Sequence, residues 1–201
     1  MANKIFGVGL PKTGTSTLGR CFEILGYKKA PYNLQLINQI ARGNYSDLKA
    51  EIDQYDCFED WPWPVIYKYL LEQYPQAKFV LTLRANERVW LNSLQKHTSR
   101  NTRKNSEYLR QQFFGSPNPW DDEEVYLNFY RNHIVEVTEL FKDKPDQLLI
   151  VNWEDEDGWQ ELCDFLGLEI PEIDFPHMNQ AKSTSSVVRL GRLIRNKIKR
   201  A

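Results

Sequence analysis

Apolar and polar positions alternate along this chain in blocks that switch between strand and helix periods. "KIFGVG" (residues 4–9) is a short uninterrupted apolar run, which predicts a buried strand. The polar stretch after it leads into a helix over Ser16–Leu25 that Gly26 ends. A second strand is expected near "YKKAPY", two short helices within residues 34–54, and a brief strand in "YDCFED" that stops at Asp60. The next unit is the clearest: "PVIYKYLLEQYP" has helical spacing, "AKFVLTLR" is an apolar run typical of a parallel strand covered on both faces, and "NERVWLNSLQKH" returns to helix. A long helix over residues 121–143, a strand in "QLLIVNW" and a helix in "GWQELCDFLGL" that ends near Gly167 complete the pattern. Strands alternating with helices predict an α/β fold, three αβα layers around a mostly parallel central sheet. No repeat or low-complexity segment interrupts it, so residues 1–181 read as one domain and residues 182–201 as a tail.

Charge changes this picture only at the end of the chain. The 201 residues are 41% hydrophobic and 26% charged with a net charge of -1, ordinary values for a folded globular protein. From Lys182 to Ala201, however, there are Lys and Arg residues and no acid, which leaves the remainder acidic. Within the tail Val187, Leu190, Ile194 and Ile198 recur at helical spacing between the cations, the pattern of a basic amphipathic helix. Docking on the acidic body or plain solvation is the expected use, with weak membrane-surface contact the other option. No aromatic-basic motif accompanies the tail, and no nucleic-acid partner is expected. Three widely spaced cysteines, Cys21, Cys57 and Cys163, form neither a disulfide framework nor a zinc pattern. With no long apolar run, the expectation is a soluble, cytoplasmic protein in a reducing compartment.

The chemistry concentrates in "GVGLPKTGTSTL" (residues 7–18), a glycine-rich loop between a strand and a helix. Backbone N–H groups and the positive end of the following helix make such a loop an anion site, so the fold is P-loop-like. A nucleotide triphosphatase loop runs G-x-x-x-x-G-K-[ST]. Set on Gly9 and Gly14, that frame puts Thr15 where the lysine belongs, while Lys12 sits inside the loop. A kinase or NTPase also wants a strand ending in Asp, whereas "FVLTLR" ends in Arg84 and "LLIVNWED" runs through Asn152. That enzyme class is the alternative reading, as is a nucleotide-binding module of the same fold without catalysis.

"LPKTGTSTL" resembles the 5'-phosphosulfate loop of sulfotransferases that use 3'-phosphoadenosine 5'-phosphosulfate (PAPS), whose pattern is P-K-[ST]-G-[ST]-[ST]-[ST]. "DWPWPVIYKYLLEQYPQAKFVLTLR" resembles the segment leading to that superfamily's 3'-phosphate site, and "FFG", "LLIVNWEDEDGWQELCDFLGL" and "FPHMN" resemble landmarks of a soluble sulfotransferase-like branch. The resemblance implies an enzyme that moves a sulfuryl group from PAPS to a hydroxyl or amine of a small-molecule or glycan acceptor, without a metal. It implies that Lys12 contacts the phosphate next to the transferred group, and that Thr13, Gly14, Thr15, Ser16 and Thr17 hold the 5' end of the donor. Arg84 and Ser93 would hold the 3'-phosphate, Arg through its planar fork, although Ser93 lies one residue further from the arginine than the family spacing. The alternatives are a strand-end ion pair for Arg84 and a surface position for Ser93; Arg88 is a neighbouring solvated cation.

Taking the acceptor's proton calls for a general base, a histidine or carboxylate in this superfamily. Asp60 stands at the expected place with Glu59 beside it, and His97 lies one helical turn beyond Ser93. An unperturbed Asp, with a pKa of about 3.9, is a weak base unless burial raises it. Asp60 reads equally as an N-cap for the following helix. His133 and His177 read as structural. Of the aromatic cluster Trp61, Trp63, Tyr67 and Tyr69, most reads as core. "HTSRNTRKNSEYLRQQFFGS" reads as solvated loop and helix where a substrate-facing cap could form.

Overall fold

A computed structural model describes residues 4–100, 104–155 and 158–178. Four strands, β1 (Ile5–Gly7), β2 (Cys57–Phe58), β3 (Lys78–Thr82) and β4 (Leu148–Val151), form one sheet in the order β2-β1-β3-β4. Every pairing is parallel, with Ile5 opposite Cys57 on one side and Lys78 on the other, and Phe79 opposite Leu148. Eight α-helices lie among the described residues: α1 (Thr15–Ile24), α2 (Leu34–Ala41), α3 (Leu48–Asp53), α4 (Tyr67–Gln73), α5 (Glu87–Arg100), α6 (Lys104–Phe114), α7 (Glu123–Leu140) and α8 (Trp159–Leu166).

Side chains of a strand point alternately to opposite faces, and here the alternation sorts the helices into two layers. Ile5, Cys57, Val80 and Val151 pack on α1 and α8 through Leu18, Phe22 and Leu162. Phe6, Phe58, Phe79 and Leu81 face the other way, onto residues of α2, α3, α4 and α7. A third cluster sits around Leu10, where Trp90, Leu91 and Leu94 of α5 meet Phe114, Tyr126 and Tyr130. It anchors the loop after β1. The expected αβα architecture is therefore the observed one.

Three elements differ from expectation. "YKKAPY" forms only an isolated parallel bridge, Lys29 with Cys57, because Pro31 removes a donor and the run is too short to extend the ladder. The helix expected from Pro64 is split, with a 3₁₀ turn at Trp63–Val65 before α4. The segment read as solvated contains α6, whose Leu109 and Phe114 are buried. The tail 182–201 lies outside the described residues.

Connections from β1 lead to β2 on one side, while β3 lies on the other. This divergence opens a crevice at the carboxyl ends of the strands, the usual ligand position in open parallel sheets. Gly9 sits at its base. A Cβ there would fall 1.9 Å from Thr82 Oγ1 and 2.7 Å from both Thr13 Oγ1 and the Thr82 carbonyl oxygen. Gly9→Ala should cost about 3 kcal/mol of stability, read as the shift in urea midpoint, since such overpacking typically costs about 1–3 kcal/mol and here a backbone atom is among those struck. Thr82→Ala in the same chain should recover only part of it, because the carbonyl contact remains. A Gly9→Ala protein as stable as wild type would mean that the loop and β3 are not packed this closely.

Candidate active site

The loop that follows β1 is held from below by Thr13, Thr82, Trp90 and His133, of which the sequence did not single out Thr82 and Trp90. Thr13 Oγ1 donates to the Leu10 carbonyl at 2.7 Å, so its 2.6 Å contact with Thr82 has Thr82 as the donor. Trp90 Nε1 donates to the Pro11 carbonyl at 2.9 Å, and His133 Nε2 donates to the Val8 carbonyl at 2.7 Å. Burial holds the His133 imidazole below its usual pKa, in keeping with a neutral structural role. Lys12 itself has φ 75° and Gly14 φ 104°, two left-handed residues within three positions. At Gly14 the need for glycine is double: a Cβ would lie 2.4 Å from Trp153 Cδ1.

Gly14 caps α1, with no side-chain hydrogen bond at the cap. The amides of Thr15 and Ser16 open the helix and have no intrahelical acceptor, so they form the anion-binding end of α1. Thr13 and Thr17 are used differently from the expectation. Both are buried; the Thr13 hydroxyl is spent inside the loop and Thr17 Oγ1 accepts from the Met178 amide at 3.2 Å. Neither lines the cleft.

That cleft has a volume of about 650 Å³ and brings together Lys12, Gly14, Thr15, Ser16, Asp60, Arg84, Ser93 and His97. These residues come from the ends of three adjacent strands and from α5, whose start is capped by Asn86 accepting from the Val89 amide at 3.0 Å. Glu59 is not among them. It packs behind α1, 3.6 Å from Lys29, and burial first, then the Asp60 charge, pushes its carboxyl up to about 7. Arg84 makes the strand-end ion pair, one guanidinium nitrogen pairing with Glu154 at 3.0 Å; the residue also lines the cleft, and its Nε is buried with no hydrogen-bond partner.

Asp60 occupies the left-handed region at φ 63°, a conformation Asp tolerates better than most residues. Its Oδ1 accepts from the Trp61 amide at 2.9 Å, next to the cis Trp61–Pro62 bond. It does not cap α4, whose N-cap is Ile66. Desolvation raises the Asp60 pKa, opposed by the Trp61 hydrogen bond and the Lys12 charge. Lys12 in turn is lowered by burial, raised by Asp60, and lowered by Arg84 and Arg100. Partial burial and the charges of Lys12, Arg110 and Arg100 lower His97, keeping its imidazole neutral near pH 7.

Sequence reasoning missed part of the wall. Arg100, Arg110 and Phe114 line the cleft from the segment read as solvated, and Lys96 from the helix before it. Trp61 also lines it, stacked on Phe113 at 4.6 Å, while Trp63 and Tyr67 belong to the core as expected. Among the described residues no cluster of His, Cys, Asp or Glu is arranged to hold a metal, and no helix is long and apolar enough to cross a membrane.

A family model described as "Sulfotransferase domain" matches residues 4–184, the loop, the cleft and nearly all of the sheet and helices described above. The chain belongs to the sulfotransferase family. Sulfotransfer, as a general activity, comes with that membership. Among curated proteins this family member is similar to the Ava biosynthesis cluster protein M of Aspergillus versicolor, 27% identical over 216 residues that span 87% of this chain and 80% of the relative. Among solved structures, a sulfotransferase from Alicyclobacillus acidocaldarius superposes with a TM-score of 0.59 at 17% identity, covering 100% of this chain and 94% of that one. At that identity the likeness speaks for the sulfotransferase fold alone.

Proposed function

We propose that the protein transfers a sulfuryl group from PAPS to a hydroxyl or amine of a small acceptor. The observation that supports this most is the placement of Lys12 and Asp60 at adjacent strand ends, on one cleft and within range of each other's charge. The amides of Gly14, Thr15 and Ser16 and the positive end of α1 receive the 5' phosphosulfate. Arg84 and Ser93, which both line the cleft, receive the 3'-phosphate. Thr13 and Thr17 shape the loop from behind, and Glu59 packs against α1 at Gly19.

In the reaction the acceptor oxygen or nitrogen forms a bond to sulfur as the bond between sulfur and the bridging phosphate oxygen breaks. Asp60 takes the acceptor's proton, with neutral His97 across the cleft as the second candidate base. The leaving group is adenosine 3',5'-bisphosphate, and Lys12 meets the charge that builds on its oxygen. Little covalent work is asked of the protein, as in phosphoryl transfer, so alignment and charge stabilisation carry the rate.

Isothermal titration with adenosine 3',5'-bisphosphate, 5'-AMP and ATP plus magnesium tests the donor. The bisphosphate should bind at least about tenfold more tightly than 5'-AMP, equivalent to about 1.4 kcal/mol, and Arg84→Ala should erase that difference. Tight binding of ATP with magnesium and indifference to the 3'-phosphate would replace this reading with the kinase one.

A further inference from the structure

The cleft holds more cations than the donor reading assigns. Lys12 and Arg84 are assigned to the donor, yet Lys96, Arg100 and Arg110 line the same cleft, and Asp60 is the one carboxylate on its described wall. No carboxylate of the described residues forms an ion pair with Lys96, Arg100 or Arg110. Arg110 is oriented instead by its Nε, which donates to the Pro117 carbonyl at 2.5 Å. Uncompensated like charges facing one cavity repel, and a bound anion relieves that repulsion.

Arg100 stands at the far end of α5 from Ser93, and Arg110 is on α6. Ser93 and Arg100 are seven residues apart on one helix, a rise of about 10 Å. Arg100 lies in charge range of Lys12 and His97, as Arg110 does of His97, which puts both arginines near the place where the acceptor must attack. Beside them the wall turns apolar: Trp61, backed by Phe113 in a near-parallel stack, with Leu109 and Phe114. Thr98 contributes a buried hydroxyl with no partner.

We propose that the acceptor is a small hydroxyl compound that already carries a carboxylate or phosphate, its anion held by Arg100 and Arg110 and its flat or apolar frame lying on Trp61 and Phe114. The inference rests on the donor reading above for the assignment of Lys12, Arg84 and Ser93. Arg suits the task because its fork matches a carboxylate or phosphate in two hydrogen bonds. The anion therefore orients the acceptor hydroxyl toward Asp60 as well as binding it.

The test is isothermal titration of the full-length protein with 4-hydroxybenzoate, with 4-hydroxyphenyl phosphate and with neutral 4-hydroxybenzamide, each without nucleotide and again with saturating adenosine 3',5'-bisphosphate. At least one anionic probe should bind about tenfold more tightly than the amide, and Arg100→Gln should remove that preference while bisphosphate affinity stays within about twofold. Which anion gains more distinguishes carboxylate from phosphate. Equal or tighter binding of the amide, or no binding of any probe at millimolar concentration, overturns the proposal. So does an Arg100→Gln protein that loses bisphosphate affinity as much as probe affinity, since Arg100 then serves the donor. If the bisphosphate fails to bind wild type, the donor reading falls by itself, and the titrations without nucleotide still decide whether the cleft selects anions.

Discussion

Asp60→Asn should lower kcat for sulfuryl transfer by about 10²–10⁴-fold, the usual contribution of a positioned general base, without lowering the melting temperature. The two halves of that expectation have one origin. The desolvation that raises the Asp60 pKa is a cost to the ionised form in the folded state, so at neutral pH the charged carboxylate works against folding. Asparagine removes the charge, keeps an oxygen to accept from the Trp61 amide and tolerates the left-handed backbone at φ 63°. Stability should hold or rise as activity falls, the trade expected where a strained, desolvated group is kept for its chemistry. The pH profile gives an independent reading. A base works deprotonated, so kcat/KM climbs as pH rises through the Asp60 pKa, at an inflection above that of an unperturbed side chain. Asp60→Asn should abolish that limb and His97→Gln should leave it. The reverse result, full activity in Asp60→Asn and loss in His97→Gln, would move the base to α5.

What could be read from the sequence was what a single segment encodes. The runs "KIFGVG" and "AKFVLTLR" declare buried parallel strands, and the loop declares an anion site, because hydrophobic period and glycine chemistry are local. The misreadings arise where a distant partner decides. Thr13 looks like a donor to a ligand until its hydroxyl turns inward, donating to the Leu10 carbonyl and accepting from Thr82, remote in sequence. Glu59 and Asp60 are neighbours in sequence, yet where the chain leaves β2 and turns left-handed at Asp60 one lies behind α1 and the other on the cleft. Arg100 and Arg110 sit in a stretch whose polarity looks solvated, and only the burial of Leu109 and the packing of Phe114 against α7 turn that stretch into a wall. A signal was available: Leu109, Phe113 and Phe114 are three apolar residues at helical spacing within the polar run.

Lys12→Met should reduce kcat/KM for sulfuryl transfer by about 10²–10³-fold, as removal of one preorganised oxyanion donor does elsewhere, with most of the loss in kcat. Methionine keeps the length of the stem and an equal burden at φ 75°, so the comparison isolates the ammonium. The reason the loss falls on kcat is the position of the charge. Phosphate and sulfate already carry negative charge in the bound donor, and the amides at the start of α1 with Arg84 meet it there. The oxygen between phosphorus and sulfur gains charge only as the sulfur bond breaks, so a lysine aimed at it binds the transition state more than the ground state. Arg84→Ala should show the opposite split, weaker binding of adenosine 3',5'-bisphosphate with a smaller change in kcat. Melting temperature should not fall in Lys12→Met, because burial lowers the Lys12 pKa and the folded chain loses nothing by shedding that charge beyond its pull on Asp60. Steady-state rates at saturating donor together with titration of the bisphosphate measure both quantities. Should Lys12→Met bind the bisphosphate far more weakly while turning over at the wild-type rate, the lysine would be a ground-state clamp, and transition-state stabilisation would have to come from the helix end instead.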